Sequence, residues 1–258
     1  MQKNALTITL TTLVLGVFGA FLRWLQTQNI FEEETGLAVP GAPISIIYVI
    51  YSVLALAVIA AIVLGWLRHY KAPAEPERAL RCETPVPLVL TCVFAVIFVC
   101  CALVMLFSVT SARFPMLQRL FGAFAIFGGL CFPFVTPKRS GGINSMSKAA
   151  TVVAVFFFCY WLIFAYKMYA ENPVIWVYGP EMLALVATTV GIYEIAAYFH
   201  DRAKPTLTLF VLQAAAFLDI SAVFDSRALP LTVMIAVCAL LMLLLTYLLI
   251  ANLKERVD

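Results

Sequence analysis

The sequence predicts an all-α, polytopic integral membrane bundle of about eight transmembrane helices. Mean hydropathy is +1.00 with only 12% charged residues, a balance soluble domains rarely approach. Eight apolar runs reach the roughly 20 residues a spanning helix needs. The basic residues concentrate in alternate connecting segments, as the positive-inside rule requires of a chain that crosses repeatedly.

The runs cover 5–26, 44–67, 87–109, 115–136, 148–169, 178–200, 205–225 and 229–252. The first follows Lys3 and ends in Phe21-Leu22-Arg23-Trp24, an interfacial anchor. No A-x-A-like cleavage site follows it, so it is expected to be an uncleaved span rather than a signal peptide. The fourth holds Gly128-Gly129 and then Pro133. That pattern suits either a broken helix of the kind found at transporter sites or close helix packing. Gln213 and Asp219 interrupt the seventh, which makes it the least secure of the expected spans. The loop 27–43 carries Glu32, Glu33 and Glu34, read as solvated, and the loop 68–85 is a polar, proline-punctuated connector too short for a soluble domain.

With the N-terminus inside, the inner segments hold Lys3, Arg68, Lys71, Arg78, Arg81, Lys138, Arg139, Lys148, Arg202, Lys204, Lys254 and Arg256, twelve of the seventeen Lys and Arg. Both termini are therefore expected on the cytoplasmic side of the plasma membrane. Similar end motifs recur in the same order through both halves. Trp66-Leu67-Arg68-His69 is answered by Tyr198-Phe199-His200-Asp201-Arg202, and Ser111-Ala112-Arg113 by Asp225-Ser226-Arg227. They suggest a 4+4 tandem repeat with halves 1–139 and 140–258, against the simpler reading that any basic-ended helices match this well.

Several classes are disfavoured. Net charge is +3 without a basic run, which argues against nucleic-acid binding. Six of the seven Cys lie in apolar runs and Cys82 lies in a basic loop, so a disulfide framework is not expected. There is no CxxC, HExxH, GxSxG or P-loop, and the two His are His69 and His200. No metal, haem, nucleotide or other cofactor is expected, and an enzyme is the weaker reading.

The functional lead is the stretch from Val177 to Asp225, whose apolar helices carry Glu181, Glu194 and Asp219. Acids at membrane depth are costly and usually have a partner or a task. Depth along the helices places Arg23, Arg119, Glu181 and Asp219 in one half of the bilayer, with Asp219 expected to pair with Arg23 or Arg119. These four are the candidate ligand-binding set, suited to a small charged or zwitterionic solute. Glu194 lies in the other half without an evident cation. It is the proton-coupling candidate, or else a carboxyl held by a Tyr or Thr hydroxyl. Two functions follow: a transporter or solute-binding module with an outward-half polar cavity, or a non-transporting assembly partner or scaffold whose ion pairs fix helix register. Beyond the lipid bilayer, a homo- or hetero-oligomeric partner fits the second reading.

Overall fold

The computed structural model describes residues 2–29, 42–71, 79–80, 84–108, 114–136, 145–170, 174–225 and 227–255. The acidic triplet 32–34, most of the 68–85 connector with Cys82, and the basic pair Lys138-Arg139 lie outside the described residues.

Among the described residues, eight helices carry the fold: α1 (Gln2–Asn29), α2 (Pro43–His69), α3 (Val86–Phe107), α4 (Pro115–Leu130), α5 (Ser145–Tyr169), α6 (Ile175–Phe199), α7 (Pro205–Ser221) and α8 (Leu229–Ala251). Each is, with its flanking turn where it has one, long and apolar enough to cross a membrane. Five of them, α2, α3, α4, α7 and α8, have proline in their first two positions. The ring presets the helical φ there and its missing N–H removes no helical bond.

Two helices finish as short 3₁₀ turns. Phe132–Phe134 follows α4, and Ala222–Phe224 follows α7. In the first, Pro133 has no N–H to continue the α ladder, so the helix tightens and stops. The glycines before it serve packing. A Cβ on Gly128 would run into the Phe157 ring, and one on Gly122 would meet the backbone of Leu106 at 2.7 Å. Glycine here lets α4 approach α5 and α3 closely.

The bundle is built around its C-terminal helices. Of the most apolar window in each helix, 67% is buried in α7 and 72% in α8, against 22% in α2. α8 packs on α1, α3 and α7, while α6 bridges α5 and α7, and α2 leans on α1 and α7 from outside. Aromatic rings fill the space between α3, α4 and α5. Trp161 is fully buried there, edge-on to Phe98 and Phe121, rather than at an interface. The outer surface is apolar, with Phe107, Phe156, Leu183 and Val53 among its exposed side chains. Such a surface is satisfied by lipid tails, so the protein is an integral membrane protein.

A two-residue antiparallel pair, β1 (Tyr70–Lys71) with β2 (Lys254–Glu255), joins the ends of α2 and α8. It fixes which end of the bundle carries the chain's C-terminal segment. With eight crossings, the start of α1 lies at that same end, called here the termini end.

Candidate functional site

Opposite the termini end, a chain of ionic side chains crosses the bundle. Arg23 comes from α1, Glu181 from α6 and Tyr169 from the last turn of α5. The turn between α7 and α8 supplies Asp225 and Arg227. The 3₁₀ turn Ala222–Phe224 folds this segment back on the bundle, and Asp225 N–H donates to Ala222 O at 3.1 Å.

Arg23 uses all three arms of its guanidinium. Nε donates to Asp225 Oδ1 at 2.5 Å, Nη1 to Gln26 Oε1 at 2.7 Å and Nη2 to Trp176 O at 2.7 Å. Gln26 donates onward to Ser45 Oγ at 3.4 Å, reaching α2. The other Asp225 oxygen accepts from Arg227 Nη2 at 3.1 Å, and the same nitrogen donates to Ala222 O at 2.7 Å. Arg227 Nε lies 3.4 Å from Glu181 Oε2, which accepts the Tyr169 hydroxyl proton at 2.8 Å. The order is thus Arg23, Asp225, Arg227, Glu181, Tyr169, with two cations and two anions in alternation. Alternation is what permits their burial, because each charge offsets the desolvation of its neighbours. Asp225 lies just beyond the apolar span; burial pushes its carboxyl above the usual range, and Arg23 and Arg227 act in the opposite direction.

A cavity of about 310 Å³ opens beside this chain, reached by Gln118, Tyr169, Glu181 and Arg227 and walled by Met105 and Phe164 among others. Arg227 Nη1 is buried and has no hydrogen-bond partner among the described residues. A buried guanidinium with an unused donor, at a cavity wall, is equipped to hold an anionic group.

The predicted set divides. Arg23 and Glu181 belong to one network, joined through Asp225 and Arg227. Arg119 does not enter it: its side chain is exposed, and its neighbour Gln118 turns inward to donate to Met105 O at 3.0 Å and to Ser108 O. Consecutive helical positions point about 100° apart, so only one of the two faces the core. Asp219 is also not paired with arginine as expected. It is fully buried on α7 and accepts the Thr188 hydroxyl proton at 2.7 Å, and no Lys or Arg nitrogen among the described residues lies within 4 Å. Asp225, one and two-thirds turns later, takes the Arg23 partnership instead.

Glu194 is buried near the termini end of α6, with Oε2 3.2 Å from Thr208 Oγ1 of α7. Thus α6 and α7 are linked by two Thr–carboxyl pairs of opposite sense, Thr188 to Asp219 and Thr208 to Glu194. Gln213 of α7 is bonded similarly by Thr12 of α1 at 3.0 Å. The polar residues that interrupt the seventh apolar run thus each accept one hydrogen bond from a neighbouring helix, while Gln213 Nε2 and Asp219 Oδ1 are buried without a hydrogen-bond partner among the described residues.

Asp225 and Arg227 were not distinguished by sequence. They stand at the end of an apolar run, where charged residues are ordinary, and the available signal was only an Asp-x-Arg spacing directly after an intramembrane acid. Compared with protein-family models, curated proteins and solved structures, the chain gives no match.

Proposed function

We propose that this protein is a transporter or solute-binding membrane module, and that the cavity beside Arg227 and Glu181 takes a small anionic or zwitterionic solute. The observation that carries this reading is the buried, unpartnered Nη1 of Arg227, a residue that lines the cavity. An anionic group accepts from Arg227, and a cationic group of a zwitterion faces Glu181 and the Tyr169 hydroxyl. Arg23 acts as a positioning residue that holds Asp225, and through it Arg227. The basic bias supports a plasma-membrane orientation with cytoplasmic termini and an outward cavity. In the 4+4 reading, Gln118 comes from the half 1–139 and Glu181 and Arg227 from the half 140–258, so the site lies between repeats. Glu194, at the other end of α6, is the residue through which proton coupling would act.

The scaffold reading has its own support: Arg23 is 1% exposed and each of its three guanidinium nitrogens is engaged internally, as in a purely structural ion pair. The two readings separate by thermal unfolding of the detergent-solubilised protein with glycine, glutamate, succinate and glycine betaine. A bound solute at a hundredfold excess over its Kd stabilises by about 2.7 kcal/mol. The transporter or binding reading expects such a shift with at least one of these solutes, retained in Arg119→Gln and lost in Arg227→Lys. No shift with any of them favours the scaffold.

A further inference from the structure

At the termini end, a second groove runs between α5 and α6, with a volume of about 650 Å³. Its walls are Val152, Val155 and Phe156 of α5 and Tyr193, Ala196 and Ala197 of α6. Phe156 and Tyr193 are 71% and 57% exposed, two aromatic rings facing the surroundings on either side of an apolar slot. The small side chains of Ala196 and Ala197 leave the slot its width.

The mouth of the groove is different in kind. His200, Arg202 and Lys204 line it, all exposed, on the turn that joins α6 to α7. That turn is fixed: Asp201 takes the left-handed φ of 59°, and Arg202 N–H returns to Ala197 O at 2.9 Å. Lys148 at the start of α5 reaches Asp201 at 3.9 Å, so these two charges offset one another. Arg202 and Lys204 are left as the cations at the mouth. The one acid of the groove, Glu194, is buried deeper and held by Thr208. It disfavours an anion in the depth of the groove and leaves the mouth as the place for one. Two other membrane-facing grooves, beside Trp24 and beside Val89, carry no charged side chain.

We propose that this groove binds an anionic phospholipid, its phosphate at Arg202 and Lys204 and an acyl chain along Val152, Phe156, Tyr193 and Ala197. A basic mouth at the end of a membrane span, above an apolar slot open to the bilayer, matches both ends of such a molecule. The chemistry shared with a free phosphate is confined to the mouth; the apolar walls are what commit the site to a lipid.

Native mass spectrometry of the protein released from detergent tests this with phosphatidylglycerol and phosphatidylcholine of identical acyl chains. The proposal expects preferential retention of phosphatidylglycerol. An Arg202→Gln and Lys204→Gln double variant should lose on the order of 25-fold in that preference, at about fivefold per cation. Both side chains are exposed, so the variant keeps the fold. Ala197→Leu fills the slot without altering charge and should weaken both lipids. Arg68→Gln, at the same end on α2, should leave the preference unchanged. Equal retention of the two lipids overturns the proposal, as does an equal loss in Arg68→Gln. Displacement of phosphatidylglycerol by glycerol phosphate at matched concentration assigns the mouth to a free anion and also overturns it.

Discussion

Arg227 holds its guanidinium 3.4 Å from the carboxylate of Glu181, with both side chains almost completely buried. The pair joins the α7–α8 turn to α6, and Nη1 of the guanidinium is buried without a hydrogen-bond partner among the described residues. Removing one member of a buried pair strands the other charge, at a cost on the order of 3–5 kcal/mol. Glu181→Gln and Arg227→Gln should each lower stability in detergent by that order. Their double variant should lose clearly less than the sum. Additive losses by chemical denaturation would show that the two residues do not act on one another.

Arg23 and Asp225 should couple in the same way, whereas Asp219 and Arg119 should not. The first pair is in direct contact, and Arg119 is exposed on another face of α4. A double-mutant cycle on Arg23→Gln and Asp225→Asn is expected to show coupling of about 0.5–3 kcal/mol. The cycle on Asp219→Asn and Arg119→Gln should be additive to within about 0.5 kcal/mol. The reverse pattern would return Asp219 to the ion-pair chain.

Thr188 is the hydrogen-bond donor to Asp219 within the bundle. Thr188→Val keeps the side-chain shape but leaves the carboxyl without that donor, and should cost about 1–3 kcal/mol. Thr188→Ser keeps the hydroxyl and should recover most of the loss. Thermal unfolding of the two variants side by side reads the difference; equal midpoints would mean that the hydroxyl contributes nothing.

Gly122 and Gly65 make a paired test of helix packing. A methyl on Gly122 meets the backbone of α3, whereas one on Gly65 meets nothing within 4 Å. Gly122→Ala should therefore destabilise by about 1–3 kcal/mol, since backbone cannot move aside as a side-chain tip can. Gly65→Ala should be neutral or stabilising by up to about 1 kcal/mol through helix propensity. A Gly122→Ala protein as stable as the parent would mean that α3 and α4 do not approach this closely.

The spans were legible because a helix in lipid must be apolar over its length, and that requirement is written in the residues themselves. Proline at the helix starts and Pro133 at the end of α4 added the boundaries. The site was legible only in part. Arg23 and Glu181 stand out as charges within apolar runs. Asp225 and Arg227 do not, because their burial comes from a 3₁₀ turn that folds the interhelical segment inward, a tertiary event without a local signature. Arg119 was misplaced for a related reason. Residue count gives depth in the bilayer, but which of Gln118 and Arg119 faces the core depends on how α4 is rotated against α3. Asp219 is fully buried, as an acid within a span requires, but sequence does not tell its hydroxyl partner on α6 from an arginine on another helix.

The proposed site requires that the ion-pair chain border a solvent-reached cavity rather than a sealed core. Met105 provides the direct reading, since it is 2% exposed yet lines the cavity, while Met234 and Met242 are fully buried elsewhere. Hydroxyl-radical footprinting of the protein in lipid nanodiscs, with oxidation of each methionine followed by mass spectrometry, compares them in one sample. Oxidation of Met105 well above that of Met234 and Met242 is the predicted result. Met105 protected to the same degree as those two would contradict the account and leave Arg23, Asp225, Arg227 and Glu181 as structural ion pairs.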